Sequence, residues 1–294
     1  MGYTIFGRKK PDKNQITEMF SLLESRGRDA AGVGFIRDGA LFVHKAPVRS
    51  SELIKGKEWQ SLDLPETLIA HTRLKTQGTQ LNNQNNHPLF NKAGICLVHN
   101  GMIHNDAEIF ARNKRDAEVD SEAILAVLGS KAKGDKIKQV FDRLEGSFAF
   151  AMIDKTSPDR LVLVKKDNPI DLYLDAEDDI LYFCSERSIM KEALGIESES
   201  LRGFNVGEGK YHFYSMENNH ALIINREGVE SYKRYTPKKI YSYYGYGSDY
   251  FGADAEYIRT ECPWCLEMTD YHVTGLINLC QHCGERITEE DLYV

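Results

Sequence analysis

Strand-like runs dominate the first 235 residues of the chain, and helical patterns occur in groups among them. Residues 147–154 form a nearly continuous apolar run, as expected of a strand that is buried on both faces. Residues 15–26 instead carry apolar side chains at helical spacing, which indicates an amphipathic helix. Because strands follow strands without regular alternation with helices, the pattern predicts an α+β fold with antiparallel sheets and helices packed outside them.

Four of the six cysteines lie near the C-terminus as two C-x-x-C pairs. Cys262 and Cys265 form the first pair, and fourteen residues separate it from Cys280 and Cys283. This spacing is typical of a small zinc ribbon, in which the two pairs close a tetrahedral site. Four thiolates leave no open coordination position, so we expect a structural zinc ion and not a catalytic one.

Charge and hydropathy restrict the partners of the chain. Its 294 residues carry a formal net charge of −7, which argues against nucleic acid as the main partner. The sequence after the cysteine pairs is acidic, and this favours a protein partner for the zinc ribbon. No apolar run is long enough to span a membrane, and the N-terminus lacks the apolar core of an export signal. We therefore expect no membrane contact and a cytoplasmic location.

Composition divides the chain into three parts. Residues 1–235 are the α+β domain, residues 258–294 hold the cysteine pairs, and residues 236–257 between them are rich in tyrosine and glycine. We interpret the middle part as a linker. A stacking surface for bases is the alternative, which is weaker because only two lysines accompany the aromatic residues of this part.

Short motifs occur in a fixed order along the α+β domain. They are IFG at residues 5–7, RGRDAAG at 26–32, AHTR at 70–73, NHP at 86–88, HNG at 99–101, DSE at 120–122 and EGSFAF at 145–150. In this order the set resembles the class II glutamine amidotransferases, over roughly residues 3 to 225. The resemblance implies a four-layer αββα sandwich of the N-terminal-nucleophile hydrolases, and glutamine as the ligand.

The resemblance also assigns roles to single residues. Arg73 corresponds to the residue that holds the α-carboxylate of glutamine, and Asp120 to the partner of its ammonium group. Asn100 and the backbone N–H of Gly101 resemble the oxyanion hole. Each assignment has a plainer alternative: Arg73 can pair with Asp120, Asn100 and Gly101 can form a turn, and Asp120 can cap the helix that follows it.

Two further positions match the glutamine pocket of the family. Thr76 falls in the loop that closes over glutamine, and His87 matches a histidine that lines the pocket. His71 and His99 are expected to support their strands, because a histidine in an apolar strand is more often a packing residue than a catalyst.

The nucleophile of the family is absent from this sequence. In the family, the first residue of the mature chain is a cysteine whose thiol attacks glutamine and whose α-amino group is the base. Aligning the Ile-Phe-Gly motif places Tyr3 at the cysteine position. Three other residues are candidate nucleophiles. Cleavage after Tyr3 would make Thr4 the terminal residue, but Thr4 is out of register by one residue and its side chain would point to the other face of the strand. Cys96 and Cys184 lie in apolar strands, where cysteine usually packs as a small hydrophobic residue.

These observations predict an amidotransferase-like protein without glutaminase activity, which acts by binding glutamine or a protein. Two alternatives remain open. The chain can be an active subunit that releases ammonia for a separate acceptor enzyme, or an adaptor that uses its zinc ribbon while the larger domain is a scaffold.

Overall fold

The computed structural model describes residues 1–111, 113–131, 133–196 and 211–237, and short stretches between residues 257 and 287. Its contacts divide the chain into two compact units, Met1–Lys238 and Lys239–Val294. Most of the tyrosine-rich segment and the acidic tail, on which the linker and partner predictions depend, lie outside the described residues. The three-part division therefore stays a prediction. None of the described helices is long and apolar enough to cross a membrane.

The first unit contains two antiparallel sheets. Its strands are β1 (Gly2–Ile5), β2 (Ala30–Arg37), β3 (Ala40–Ala46), β4 (Thr67–Arg73), β5 (Leu89–Phe90), β6 (Ile95–Ile103), β7 (Gly146–Asp154), β8 (Ser157–Lys166), β9 (Asp171–Asp175), β10 (Ile180–Cys184), β11 (Tyr211–Ser215), β12 (His220–Asn225) and β13 (Gly228–Arg234). The seven-stranded sheet has the order β11-β9-β10-β1-β4-β2-β3, and the six-stranded sheet has the order β13-β12-β8-β7-β6-β5.

Helices pack on the outer faces of the sheets. They are α1 (Lys13–Leu22), α2 (Ser50–Leu53), α3 (Lys57–Gln60), α4 (Asp106–Phe110), α5 (Glu122–Leu128), α6 (Lys136–Arg143) and α7 (Arg187–Leu194), with 3-10 turns at Leu23–Arg26 and Asn83–Asn85. One apolar cluster joins the seven-stranded sheet to α1 and α7, and another joins the six-stranded sheet to α5 and α6. A third cluster contains residues of both sheets, so the sheets face each other. The predicted α+β sandwich is confirmed.

Local sequence explains how these elements begin and end. The Asp12 carboxylate accepts a hydrogen bond from the Asn14 N–H at the start of α1, and Ile16 and Phe20 bury the apolar face of this helix. Asp38 and Gly39 both have positive φ, 50° and 72°, in the tight turn between β2 and β3. This is the hairpin geometry that an Asp-Gly pair favours.

The second unit contains two short antiparallel hairpins among its described residues. They pair β14 (Tyr257–Glu261) with β15 (Met268–His272), and β16 (Asn278–Leu279) with β17 (Arg286–Ile287). Cys262 directly follows β14 and Cys280 directly follows β16, so each hairpin brings one buried cysteine to the core of the unit.

Candidate functional site

A cavity of about 410 Å³ lies within the first unit, and both sheets line it. The end of β4 and the middle of β6 contribute five of its polar side chains. The cavity is lined by all six residues that the resemblance assigned to the glutamine pocket. They are Arg73, Thr76, His87, Asn100, Gly101 and Asp120.

Arg73 is buried at the end of β4, and the loop that follows this strand folds back onto its guanidinium group. Nη1 donates to the side-chain oxygen of Asn86 at 3.0 Å, and Nη2 donates to the backbone oxygens of Gly78, at 3.0 Å, and Gln77. Burial lowers the pKa of Arg73, and the charges of Asp29 and Asp120 oppose this shift. Nε and the second hydrogen of Nη1 remain as donors for a ligand.

Asp120 lies beside Arg73 in the cavity wall, but the described contacts contain no ion pair between them. The Asp120 carboxylate accepts a hydrogen bond from the backbone N–H of Ile103 at 2.7 Å. The expectation that Asp120 caps the next helix is wrong, because α5 begins at Glu122 and Ser121 precedes it as the N-cap residue. The carboxylate therefore fixes the end of β6 and keeps one oxygen near Ser121 Oγ, at 3.5 Å.

The loop after β4 contacts both Arg73 and Asp120. The backbone oxygen of Gln77 accepts from Arg73, and its side-chain oxygen accepts from the backbone N–H of Asp120 at 3.1 Å. Thr76, the neighbouring residue, lines the cavity although it is exposed. The same short loop therefore contacts both the guanidinium group of Arg73 and the backbone of Asp120.

Asn100 and Gly101 lie within β6, so the alternative of a simple turn is wrong. They pair with Ala149 and Phe148 of β7. Gly101 has a φ of 141°, and a Cβ atom added there would lie 2.2 Å from the backbone oxygen of Ser147. Only glycine fits at this close approach of two strands.

Three histidines line the cavity near Asn100. The ring centroids of His71 and His87 are 4.4 Å apart, and those of His87 and His99 are 6.5 Å apart. His99 Nδ1 forms a 2.8 Å hydrogen bond with Ser121 Oγ. Burial lowers the pKa of all three, that of His71 to about 3. His71 and His99 do lie in strands as expected, but sequence reasoning missed that they also face the cavity.

Tyr3, which the Ile-Phe-Gly alignment placed at the cysteine position, does not line the cavity. The side chain is fully buried in the cluster between the seven-stranded sheet and the helices, and its hydroxyl donates to the Pro65 oxygen at 2.9 Å. At this edge the cavity is instead lined by Met1, whose nitrogen donates to the Ala70 oxygen at 2.9 Å, and by Cys184. The Ile-Phe-Gly motif therefore did not identify the residue at the cavity, because Met1, which directly precedes β1, is the one that lines it.

The other candidate nucleophiles are buried as expected. Thr4 forms a 2.8 Å hydrogen bond with Thr67 between their hydroxyls and does not line the cavity. Burial raises the pKa of Cys96 to about 12, and Cys96 does not line the cavity either. Cys184 does line it, but burial raises the pKa of its thiol as well.

Comparisons with known proteins agree with this geometry. Residues 71–192 match the family model of the glutamine amidotransferase domain. The glutamine–fructose-6-phosphate aminotransferase (isomerizing) of Aquifex aeolicus is 36% identical over 160 residues, which cover 50% of this chain and 26% of that protein. Its counterpart in Clostridium perfringens is 34% identical over 181 residues, 58% of this chain and 28% of that protein.

This chain contains a class II glutamine amidotransferase domain. The amidotransferase domain also shares its fold with the glutamine phosphoribosylpyrophosphate amidotransferase of B. subtilis, with a TM-score of 0.60. The identity is 19%, and the match covers 81% of this chain and 49% of that one, so it supports the fold alone. The chain spans less than a third of the length of the two aminotransferases named above.

Outside the amidotransferase domain, the second unit gathers its four cysteines. The sulfur atoms of Cys262 and Cys283 are 3.6 Å apart, as are those of Cys265 and Cys280. All four sulfurs lie within 4.8 Å of one another. Zinc–sulfur bonds of about 2.3 Å place the sulfurs of a tetrahedral site about 3.8 Å apart, so the cluster has the size that zinc requires.

Backbone groups favour the ionised form of one of these thiols. Burial opposes ionisation of Cys280, but the N–H groups of Cys283 and His282 donate to its sulfur and lower its pKa to about 7. A thiolate is the form that binds a metal ion. The donor set therefore fits the expected zinc ion, which these four cysteines would hold.

Proposed function

We propose that the amidotransferase domain binds glutamine in its cavity and does not hydrolyse it by the terminal-cysteine mechanism of the family. One observation carries this proposal. The cavity retains the charged and polar groups that suit glutamine, whereas the N-terminal residue that lines it, directly before β1, is a methionine.

Arg73 and Asp120 would bind the α-carboxylate and the α-ammonium group of glutamine. A planar guanidinium suits a carboxylate, and a carboxylate suits an ammonium group. Because Gln77 and Gly78 already accept from Nη2 of Arg73, a bound amino acid uses Nε and Nη1 or displaces a loop carbonyl. The contact between Gln77 and Asp120 places both charged groups under the same loop.

Hydrolysis of glutamine requires a nucleophile, which neither Met1 nor Cys184 provides. The thioether of Met1 has no acidic hydrogen, so it cannot form the thiolate that attacks an amide. The Cys184 thiol faces the cavity, but burial raises its pKa and keeps it protonated at neutral pH. Asn100 and Gly101 then have no acyl intermediate to stabilise, and they serve as binding groups for the amide.

Calorimetric titration of the full chain with L-glutamine tests the binding. We expect saturable binding that Arg73→Ala weakens strongly. Arg160→Ala is the matched control, because Arg160 pairs with Glu230 on the surface and does not line the cavity. Absence of binding in the native chain refutes the glutamine pocket.

Glutamate release by the same preparation tests the missing chemistry. We expect no release above background from the native chain. Release that disappears in Arg73→Ala but persists in Arg160→Ala would establish an active amidotransferase subunit, which is the alternative function.

We further propose that Cys262, Cys265, Cys280 and Cys283 bind one structural zinc ion. The sulfur separations and the lowered pKa of Cys280 support this proposal. When bound, zinc supplies folding energy to a unit that is too small to form a large core. A protein partner for this unit and a cytoplasmic location remain predictions.

A further inference from the structure

Strand β3 forms one end of the seven-stranded sheet, and no described strand pairs with its outer edge. The strand is seven residues long, and Lys45 is its single Lys, Arg, Asp or Glu residue. The ammonium group of Lys45 is already bound to the backbone oxygens of Asn86 and Pro88. An edge strand of this length without a free charge is a site at which a further strand can pair.

Both edges of the six-stranded sheet are protected in a way that β3 is not. At one edge, β5 has only two residues, and at the other, β13 carries Glu230, Lys233 and Arg234. Short strands and charged side chains are common means by which proteins prevent pairing between exposed edges. Strand β3 has neither of these protections.

The tight turn before β3 determines which of its backbone groups are free. The two turn residues, 38 and 39, bring Arg37 opposite Ala40. The closing pair of such a two-residue hairpin is hydrogen-bonded, and bonded and non-bonded pairs alternate along an antiparallel ladder. The N–H and C=O groups of Leu41 and Val43 therefore point away from β2, towards the free edge.

The backbone of Lys45 agrees with this direction and limits the length of the free edge. Its oxygen accepts a hydrogen bond from the Asn83 side chain at 2.9 Å, and so points away from β2 as well. Asn83 thereby occupies the edge beside Lys45, and residues 40–44 remain open. At the other end, a Cβ atom added to Gly39 would meet no described atom within 4 Å, so the space beside the turn is free.

Phe42 lies at the centre of this open edge and exposes 46% of its surface. Its ring stacks on that of Phe35 on β2, with the centroids 5.2 Å apart. On the opposite face of the sheet, Leu41 and Val43 are partly buried against the cluster between the two sheets. A strand added at this edge would therefore cover apolar side chains on both faces of the sheet.

From this edge we infer that β3 pairs with β3 of a second copy of the chain, antiparallel about a two-fold axis at Phe42. In this register Leu41 of each copy exchanges both of its backbone hydrogen bonds with Val43 of the other. The two Phe42 rings then face each other as a non-hydrogen-bonded pair, in which side chains are closest. A register centred on Val43 would instead need the Lys45 oxygen, which Asn83 already occupies. The inference does not depend on glutamine binding.

The test is the mass of the full-length chain in solution, measured by sedimentation velocity. Concentrations from about 1 μM to about 1 mM cover the dissociation constants of small, transient interfaces. We expect a reversible equilibrium between monomer and dimer. A chain that stays monomeric at every concentration overturns the inference.

Two variants attack the pairing in different ways. Val43→Pro removes an N–H that donates across the axis, and proline is tolerated on an edge strand where this group faces solvent. Phe42→Lys places like charges opposite each other at the axis. Each should raise the dissociation constant of the dimer at least about tenfold. Val229→Lys, at an exposed apolar position on the edge strand β13, is the matched control and should dimerise like the native chain.

Circular dichroism establishes that each variant is folded. If folded Val43→Pro and Phe42→Lys dimerise like the native chain, the dimer does not form through β3 and the inference is refuted.

Disulfide cross-linking tests the register directly. In the proposed pairing the two residues at position 42 are opposite each other, with Cα atoms about 4.5 Å apart, which a disulfide can span. Phe42→Cys should therefore form a covalent dimer when diamide oxidises its thiols, and dithiothreitol should reverse it. His44→Cys should not, because position 44 lies opposite position 40 of the other copy. The native chain gives the background from its own cysteines, and equal cross-linking of His44→Cys and Phe42→Cys contradicts the register.

Discussion

The ammonium group of Lys45 donates to the backbone oxygen of Asn86 at 2.6 Å, and so ties the edge strand β3 to the cavity wall. It also donates to the Pro88 oxygen at 2.9 Å, so the same group holds both residues that flank His87. The Lys45 backbone oxygen in turn accepts from the Asn83 side chain at 2.9 Å. A residue outside the cavity therefore positions a histidine inside it.

We expect Lys45→Met to weaken glutamine binding, because Met retains the apolar stem but removes both hydrogen bonds to the His87 segment. Hydrogen bonds to charged groups contribute about 1.5–3 kcal/mol each, so we expect the dissociation constant to rise at least about tenfold. Titration calorimetry measures the change. Lys9→Met, on the surface beside Asp178, is the control and should bind like the native chain.

Lys45 also gives the stability of the chain a pH dependence. Burial lowers the pKa of Lys45 to about 8, from 10.5. The folded state therefore binds fewer protons than the unfolded state between these two values, and the free energy of unfolding should rise with pH through this window. The gain is about 3 kcal/mol for a shift of this size. Urea unfolding of native chain and Lys45→Met at pH 8 and pH 10.5 measures it, and equal pH dependence in both would contradict the assignment.

Gly101→Ala should destabilise the amidotransferase domain strongly. The added Cβ would meet the Ser147 oxygen at 2.2 Å, and φ is 141°. Strain of this kind costs about 1–3 kcal/mol from the backbone alone, and the clash adds to it. Gly134→Ala is a matched control, since Gly134 also has positive φ, 100°, but open space around its Cβ position. Thermal unfolding should separate the two variants clearly, and similar melting temperatures would show that β6 shifts to accept the methyl group.

Sequence patterns predicted the strands of the domain better than the contacts between segments that are distant in sequence. The apolar run at residues 147–154 determines local structure through burial, and its prediction as a buried strand is confirmed by β7. The predicted capping role of Asp120 was wrong, because its carboxylate accepts a hydrogen bond from the backbone N–H of Ile103, the last residue of β6. Contacts between distant segments of this kind leave no periodic signal in the sequence.

In the site as well, the sequence predicted which residues line the cavity but not the contacts that these residues make. Ordered motifs brought Arg73, Asn100 and Asp120 to attention, and the cavity contains all three. The motifs did not reveal that the guanidinium group of Arg73 donates to backbone oxygens of the loop after β4, because these hydrogen bonds depend on the conformation of the loop. The motif Ile-Phe-Gly also suggested the wrong edge residue, because apolar residues of β1 suit more than one register.

Removal of the metal should unfold the second unit. Its described elements are short hairpins, and a structural zinc ion supplies much of the folding energy of such units. We expect one zinc ion per chain by elemental analysis, and none in Cys280→Ser/Cys283→Ser. Cys96→Ser removes a cysteine far from this cluster in sequence and should retain the zinc. Full zinc content in the double variant would show that the metal binds elsewhere.

A cysteine at position 1 should give the cavity the nucleophile that the family uses. We expect Met1→Cys, produced with a cleavable leader so that the cysteine becomes the terminus, to release glutamate from glutamine. Its thiol would replace the Met1 thioether at the cavity edge, and its α-amino group would provide the base that the family uses. The measurement is glutamate release beside the native chain, with intact mass confirming the terminus.

Tyr3→Cys, processed to begin at that cysteine, is the informative comparison for Met1→Cys. It should remain inactive, because the position points into the cluster beneath the helices, where the loss of a buried aromatic ring costs about 3–5 kcal/mol. Activity of Tyr3→Cys with an inactive Met1→Cys would reverse the assignment and place the nucleophile position at residue 3. Activity in neither, with glutamine still bound by both, would mean that Asn100 and Gly101 do not form a working oxyanion hole.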